Sequence, residues 1–206
     1  MDPWEQTRVV DVLFEQLLAE ESKTIFSIPG GLVHPLIVEI EKHPELRLVV
    51  TKHEEGAAFM ADGYSRASGT IGVCIGTSGP GTTNLMTGVG VAYSDGVPML
   101  VITGQAPFAN LGRGAVQETS REDIDVVAML APITKYSAMV SSPQSFARHL
   151  RRALRLAMTG RRGPVHLNVP VDFWLAPIER AAIPCPPSAY RPATHLIDRG
   201  GGLNAS

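Results

Sequence analysis

The sequence predicts a doubly wound α/β domain, in which helices cover both faces of a mostly parallel β-sheet. Three observations support this fold class. Short, continuous apolar runs alternate with helix-like segments over about the first 170 residues. These runs lack the polar–apolar alternation of a half-exposed strand, which indicates burial on both faces. Turn residues, above all glycine and proline, separate the segments, as repeated strand–helix–strand crossovers require.

The individual elements follow from the spacing of the apolar residues. Helices are predicted where apolar residues recur every three or four positions, and strands where short apolar runs end at turn residues. The predicted helices cover residues 5–20, 33–42, 54–67, 82–93 and 143–159. The predicted strands cover residues 24–28, 46–51, 71–75, 98–103, 133–140 and 165–169.

One edge of the predicted sheet is the expected ligand-binding edge. In open parallel sheets, ligands bind outside the carboxyl ends of the strands. Four segments directly follow predicted strands: Pro29-Gly30, Glu54, the 77–84 loop and the 104–120 segment. We expect them to converge on this edge. The last segment is long for a connection without secondary structure, which suggests a functional loop.

The chain divides into one domain and a tail. A length of 206 residues is enough for one domain with a hydrophobic core. We assign residues 1–175 to this domain. Residues 176–206 contain several prolines and the run Gly200-Gly201-Gly202, which predicts an extended linker or a loose tail.

Composition excludes several classes of function. The net charge of −2 offers no attraction for nucleic acid or for an acidic membrane surface. No apolar run is long enough to cross a bilayer, and the first residues lack the pattern of a signal peptide. The two cysteines, Cys74 and Cys185, have no metal-ligand spacing and predict no disulfide. We therefore expect a reducing compartment and a cytoplasmic location.

The richest chemical motif is Gly76-Thr77-Ser78-Gly79-Pro80-Gly81-Thr82-Thr83-Asn84-Leu85, which lies between a predicted strand and a predicted helix. A strand, a glycine-rich turn and a helix together offer backbone N–H groups to a ligand. The glycine order is G-x-x-G-x-G, unlike the dinucleotide fingerprint, and no lysine follows the last glycine as in a P-loop. The motif therefore predicts some other ligand, or contact with another protein surface.

Further motifs accompany this loop in a fixed order. They are Ile28-Pro29-Gly30-Gly31, the helix that starts at His53-Glu54-Glu55-Gly56-Ala57, the segment 94–105, Gln117-Glu118-Thr119, and the segment 160–170. Together they resemble the pyrimidine-binding domain of thiamine diphosphate enzymes, and the acetolactate synthase group is the most similar branch. The resemblance covers roughly residues 5–175. It implies the thiamine diphosphate-binding fold and an enzyme that acts on 2-oxo acids by carboligation or decarboxylation.

The resemblance implies a set of site residues. The cofactor-binding positions are Pro29, Gly30, Glu54, Thr77, Pro80, Gly81 and Asn84. In the family, a glutamate hydrogen-bonds to a ring nitrogen of the aminopyrimidine and so promotes loss of the thiazolium proton; the alignment places this role on Glu54. From the residues alone, Glu54 and Glu55 are equivalent, because both lie in the first turn of a helix. The helix macrodipole favours acidic residues there for purely structural reasons.

Substrate specificity stays open at this level. Gln117 matches a family position near the bound substrate, although a glutamine in a loop is equally compatible with a plain surface role. Val116 stands where acetolactate synthases typically carry an aromatic residue that shapes the acceptor site. Thr77 stands where benzoylformate decarboxylases carry a catalytic histidine, which disfavours decarboxylation by that route. Neither the donor nor the acceptor substrate, nor the choice between carboligation and decarboxylation, follows from these residues.

The resemblance also implies a partner. Family members hold the diphosphate through Mg²⁺ in a separate domain marked by a Gly-Asp-Gly motif, which this sequence does not contain. We therefore expect no metal site in this chain, and a separate diphosphate-binding subunit that holds Mg²⁺ in a homo- or hetero-oligomer. On this hypothesis the chain is the pyrimidine-binding subunit of a split enzyme. The alternatives are a non-catalytic assembly or regulatory module, and a truncated fragment of a full-length enzyme.

Overall fold

Six parallel strands form one sheet in the order β2-β1-β3-β4-β6-β5. The structure, a computed structural model, describes residues 7–121, 123–179 and 186–189. The strands are β1 Thr24–Ser27, β2 Arg47–Val50, β3 Gly72–Gly76, β4 Met99–Gln105, β5 Ser137–Met139 and β6 Pro164–Pro170. Each of β3, β4 and β6 is buried along its whole length. The predicted doubly wound parallel sheet is therefore confirmed.

Helices cover both faces of this sheet. They are α1 Val9–Ala19, α2 His34–Glu41, α3 Glu54–Ser68, α4 Pro80–Asp95, α5 Val126–Leu130 and α6 Phe146–Met158. The buried residues of α1, α2 and α6 form one hydrophobic core on one face. Those of α3, α4 and α5 form a second core on the other face. Within the part of the chain that the structure describes, no helix combines the length and the apolarity that crossing a membrane requires.

The predicted elements differ from the observed ones mainly at turns. The predicted helix 143–159 begins with a 3₁₀ turn, Pro143–Ser145, and continues as α6; the Ser142 side chain caps this turn by accepting a hydrogen bond from the backbone N–H of Ser145. The predicted strand 133–140 is shortened to β5: a 3₁₀ turn, Ala131–Ile133, occupies its first residue, and only residues 137–139 pair with β6. The short helix α5 was not predicted.

The chain continues to pack on the domain beyond β6. Trp174 is fully buried against Phe146, and Ile178 is also buried. The backbone N–H of Ile178 donates to the carbonyl of Thr7, and Arg8 forms an antiparallel bridge with Pro177. The domain boundary at residue 175 stays a prediction, since most of the predicted tail, including Cys185, lies outside the described residues.

Close packing of α3 on α4 leads to a stability prediction. A Cβ atom at Gly88 would lie 2.6 Å from the Cβ of Ala58, whereas a Cβ at Gly90 would meet no heavy atom within 4 Å. We expect Gly88→Ala to destabilise the domain by about 1–3 kcal/mol, because the methyl group forces the helices apart. We expect Gly90→Ala to stabilise it by about 0.5–1 kcal/mol, because alanine restricts the unfolded chain more than glycine does. Denaturant unfolding of the two variants measures both effects, and a shift of the same sign in both would contradict the packing argument.

Candidate functional site

The order of the strands reverses between β1 and β3, and this reversal creates a crevice at the carboxyl edge of the sheet. The chain leaves β1 toward β2 and leaves β3 toward β4, so the two loops diverge, as at the ligand-binding crevices of other open α/β sheets. Gly30 lies in the first loop and Thr77 in the second. A Cβ atom at Gly30 would lie only 2.5 Å from the Cβ of Thr77. The close approach of the two loops therefore requires glycine at position 30, next to the exposed Pro29.

Glu54 points toward the second of these loops. It is the first residue of α3, whose N-cap is His53. Its Oε2 accepts a hydrogen bond of 3.0 Å from Nδ2 of Asn84 in α4. Its Oε1 would lie 3.4 Å from a Cβ atom at Gly81. Glu55 differs, because its backbone N–H donates to the ring of His53 to cap the helix.

The residues of the glycine-rich loop determine the conformation of its turn. Gly79 has φ 62° and ψ −119°, a conformation in the positive-φ region that favours glycine. The exposed Pro80 follows as the first residue of α4, a position that suits its fixed φ and its missing N–H. The hydroxyl of Thr82 donates to the carbonyl of Thr77 at 2.9 Å and closes the turn. These residues therefore determine the conformation of the loop.

Two hydroxyl groups of this loop have no hydrogen-bond partner among the described residues. They are Oγ1 of Thr77 and Oγ of Ser78, and both atoms are buried. A buried polar group without a partner costs about 1–3 kcal/mol, so such groups are rare unless a ligand or another protein supplies the partner. A Cβ atom at Gly81 would lie 2.8 Å from Cγ2 of Thr77 and 3.4 Å from Oε1 of Glu54, so glycine is required between them. The unpaired Thr77 hydroxyl and the Glu54 carboxylate thus lie beside Gly81, and both can hydrogen-bond to a polar ligand.

The long loop, defined here as residues 106–119, folds back over the glycine-rich loop. Gln117 is exposed and adopts φ 56°, and its Cβ would lie 3.6 Å from a Cβ atom at Gly79. Val116 beside it is 84% exposed, which leaves its side chain free to face a ligand or a partner. Oε1 of Glu118 accepts hydrogen bonds from the Ser120 hydroxyl and the Gly112 amide. These bonds hold the pKa of Glu118 below its usual value and tie the loop to itself.

The structure therefore brings most of the predicted positions together. Glu54, Asn84, Gly81, Thr77 and Gly30 form one connected group at the crevice. Gln117 lies next to this group at Gly79 of the glycine-rich loop. In the part of the chain that the structure describes, no three His, Cys, Asp or Glu side chains cluster closely enough to hold a metal ion.

Sequence reasoning missed a set of buried polar residues behind this site. Thr103 and Gln105 lie in β4, His166 and Asn168 lie in β6, and all four are fully buried. Polar residues at alternate positions of two otherwise apolar strands were the available signal, because alternate residues share one face of a sheet. The expectation of uniformly apolar parallel strands concealed it.

Comparison with known proteins shows which family the chain is similar to. The sequence profile of the family described as "Thiamine pyrophosphate enzyme, N-terminal TPP binding domain" matches residues 7–129. An acetolactate synthase of Arthrospira platensis is 43% identical over 182 residues, which are 87% of this chain and 30% of that protein. The mitochondrial acetolactate synthase catalytic subunit of Saccharomyces cerevisiae is 39% identical over 173 residues, which are 84% of this chain and 24% of that protein.

A solved structure agrees with this relationship. The thiamine diphosphate-dependent 4-hydroxybenzoylformate decarboxylase of Rhodococcus jostii RHA1 superposes with a TM-score of 0.79 at 25% identity, over 85% of this chain and 32% of that one. The chain spans less than a third of the length of each of these relatives. It belongs to the thiamine pyrophosphate enzyme family and corresponds to the N-terminal, pyrimidine-binding domain in its acetolactate synthase-like form.

Proposed function

We propose that this chain forms the pyrimidine-binding half of the active site of a thiamine diphosphate enzyme that acts on 2-oxo acids, and that Glu54 is its key carboxylate. The observation that carries this proposal is the placement of Glu54, hydrogen-bonded to Asn84, beside Gly81 and the unpaired Thr77 hydroxyl. The acetolactate synthases among the relatives support carboligation. The decarboxylase found among solved structures keeps decarboxylation open.

Each residue of the site has a defined task under this proposal. When bound, the coenzyme supplies an electron sink for making or breaking a carbon–carbon bond beside a carbonyl. The carboxyl group of Glu54 would hydrogen-bond to the pyrimidine ring, and Asn84 orients that carboxyl group. Glycine at positions 30 and 81 makes room for the Thr77 side chain and so shapes the crevice in which the ring would lie. Gln117, carried on the long loop, contacts the substrate.

Further cofactor-binding positions shape the same space. Thr77 offers its unpaired hydroxyl to the ring. Pro29 and Pro80 are exposed residues of fixed φ at the mouth of the crevice, where they limit the conformations of the two loops. Neither proline can donate a backbone hydrogen bond, so their contribution to binding is one of shape and contact.

The diphosphate and its Mg²⁺ require residues outside this site. Mg²⁺ is usually bound by one or two carboxylates together with phosphate oxygens, and the described residues place no such cluster beside Glu54. We therefore propose that a diphosphate-binding domain, carried by a separate subunit, holds Mg²⁺ and completes the active site. We further propose a reducing compartment such as the cytoplasm, because the spacing of the two cysteines, Cys74 and Cys185, predicts no disulfide.

The exposed side of the α3–α4 pair is the proposed docking surface for that subunit. This α3–α4 surface consists of Phe59, Met60, Gly63, Gly90 and Val91. Its three large residues are 37–49% exposed, and a Cβ atom at either glycine would meet nothing within 4 Å. Glycine inside a helix costs about 1 kcal/mol relative to alanine. Packing among the described residues gives no reason for these glycines, whereas the close approach of a partner would.

Affinity purification of the chain from its native extract, followed by mass spectrometry, tests the proposed assembly. We expect a partner that carries Gly-Asp-Gly, and turnover of a 2-oxo acid by the pair once thiamine diphosphate and Mg²⁺ are added. We expect Met60→Asp to weaken the pairing by roughly tenfold or more, because a charge would be buried at the interface. Leu175→Asp is the matched control, since Leu175 is 47% exposed and is the neighbour in sequence of Trp174, which belongs to the hydrophobic core on the opposite face.

The other outcomes separate the alternatives. A full-length thiamine diphosphate enzyme as the partner would indicate an assembly or regulatory module instead of a catalytic subunit. Capture of neither kind of partner would support a fragment of a longer enzyme. Equal binding by the Met60→Asp and Leu175→Asp variants would exclude the α3–α4 surface as the interface.

A further inference from the structure

Polar side chains occupy the centre of the sheet where β4 and β6 pair. Thr103, Gln105, His166 and Asn168 form what we call the buried polar network, and none of the four has measurable exposure. The hydroxyl of Thr103 lies 2.8 Å from Nε2 of His166 and 2.9 Å from Nδ2 of Asn168. Oδ1 of Asn168 accepts a 3.1 Å bond from Nε2 of Gln105. A continuous series of hydrogen bonds therefore runs across both strands.

The hydrogen bonds of Ser137, which contacts His166 at one end of the network, determine the positions of the protons. The hydroxyl of Ser137 donates to the carbonyl of Val127 at 2.8 Å, so its only proton is used. Nδ1 of His166, 2.8 Å from the Ser137 oxygen, must therefore be the donor, and Nε2 must accept the proton of Thr103. The Thr103 oxygen then accepts from Asn168. Only one arrangement satisfies every member, and it requires neutral His166, whose pKa burial lowers to about 3.

The orientation of Asn168 is fixed independently. Its Nδ2 also donates to the carbonyl of Gly104 at 3.0 Å. A carbonyl can only accept, so Nδ2 must face it and Oδ1 must face Gln105. This in turn places Nε2 of Gln105 toward Asn168 and Oε1 toward the long loop. A satisfied network of buried side chains holds one conformation more firmly than isolated hydrogen bonds do.

At its other end, the network closes the long loop. Oε1 of Gln105 accepts hydrogen bonds from the backbone N–H of Ala106 at 2.9 Å and of Thr119 at 3.0 Å. These are the first and the last residues of the long loop, so a single side-chain oxygen joins its two ends. Gln117 lies two residues before Thr119, in a positive-φ conformation and against Gly79.

We infer that Gln105 is a positioning residue: it closes the long loop and thereby holds Gln117 over the glycine-rich loop. The contact of Gln117 with substrate rests on the proposed function, whereas closure of the loop does not. Without the Gln105 oxygen, the backbone N–H groups of Ala106 and Thr119, both in buried residues, would lack partners, which is unfavourable. Opening of the loop to water relieves that cost, and Gln117 then loses its fixed place.

Hydrogen exchange of the 206-residue chain tests the closure directly. Gln105→Met keeps the length of the side chain and removes every hydrogen bond. We expect amides of the long loop to exchange roughly tenfold faster or more, while amides of β1, β3 and α3 keep their rates. Gln144→Met, the same change at an exposed glutamine, is the matched control. Unchanged exchange in the loop, or an equal rise throughout the domain, would overturn the inference.

A second variant keeps the test decisive even if Gln105→Met does not fold. In Gln105→Glu, the protonated carboxyl group can accept hydrogen bonds from the backbone N–H groups of Ala106 and Thr119 and donate one to Oδ1 of Asn168. The ionised carboxylate has no proton to donate, so two oxygen atoms, one from Glu and Oδ1 of Asn168, would face and repel each other. We expect protection of the loop to fall as the pH rises from about 5 to 8, with a flat profile in the wild type. The nearby titratable groups keep their charge in this range, because the pKa of His166 is about 3 and that of Glu118 is below its usual value. Loss of loop protection in Gln105→Glu that is already complete at pH 5 would contradict the inference, because the protonated form can make all the hydrogen bonds of the wild-type side chain.

A double-mutant cycle in the reconstituted enzyme separates this inference from the proposed function. If Gln105 acts only through Gln117, Gln105→Met should add no further loss of kcat to Gln117→Ala. Additive losses would contradict positioning. Failure of the proposed function would appear as activity that does not depend on Glu54, and it would leave the loop-exchange result unaffected.

Discussion

Replacement of Glu54 by glutamine should lower kcat/KM of the reconstituted enzyme by about 10²- to 10⁴-fold, the usual contribution of a positioned proton-transfer group. Glutamine retains an oxygen that can accept the hydrogen bond from Asn84, so the packing of α3 on α4 should persist. It cannot take up or release a proton. Steady-state turnover of the 2-oxo acid measures the effect, and calorimetric titration with thiamine diphosphate separates a loss of binding from a loss of chemistry.

Glu55→Gln is the matched control for this experiment. It makes the same chemical change in the same first turn of α3, but Glu55 takes part in the helix cap through its backbone and not in the contact with Asn84. We expect activity close to that of the wild type. If the two variants lose activity equally, or if neither loses any, Glu54 does not have the proposed role.

Replacement of His166 by glutamine should remove a large acid-dependent loss of stability. Burial lowers the pKa of His166 to about 3 in the folded protein, against about 6.5 in an unfolded chain. Between these values the unfolded chain binds more protons. The stabilisation is therefore fully present above about pH 6.5 and is lost as the pH falls toward 3. From about pH 7 to 5, this amounts to about 2 kcal/mol of unfolding free energy.

The measurement compares denaturant unfolding of the wild type and the variant at both pH values. Glu20 acts in the opposite direction, because burial raises its pKa to about 7 and its contribution is lost as the pH rises from about 4.5. Since Glu20 is present in both proteins, the difference between them isolates His166. His34→Gln, at an exposed histidine, should keep the slope of the wild type. A difference between wild type and His166→Gln that does not change with pH would contradict this account.

The parallel sheet could be predicted because its signal is local. The strands β3, β4 and β6 are buried on both faces and therefore appear in the sequence as short apolar runs. The short elements were harder. The helix α5 has five residues and β5 has three, too few to show a period, and contacts with neighbouring elements determine both.

The site could be predicted only in part, for the same reason. The position of the glycine-rich loop follows from strand order, since the loops at a reversal of that order form a crevice. The closure of the long loop could not be predicted. It depends on Gln105 meeting Thr119 across 14 residues and Asn168 across 63, and no local pattern records such pairs.

The helix α3 follows from local sequence signals, whereas its rotation about its own axis depends on the packing against α4. The sequence determined a helix that begins at Glu54 and Glu55 and is rich in small residues. Its largest apolar residues, Phe59 and Met60, would by hydrophobicity face the core, yet they are exposed, while Ala58 and Ala61 are buried. Only small residues fit there, because α3 packs closely on α4 at Gly88.

That packing also selects between the two glutamates. Residues 54, 58, 61 and 65 share one side of an α-helix, since they are spaced by whole turns. Once Ala58 and Ala61 face inward, Glu54 faces Asn84 and the glycine-rich loop, and Glu55 is turned by about 100° away from them. Sequence periodicity placed both carboxylates at the start of one helix; steric contact between two helices decided which of them reaches the site.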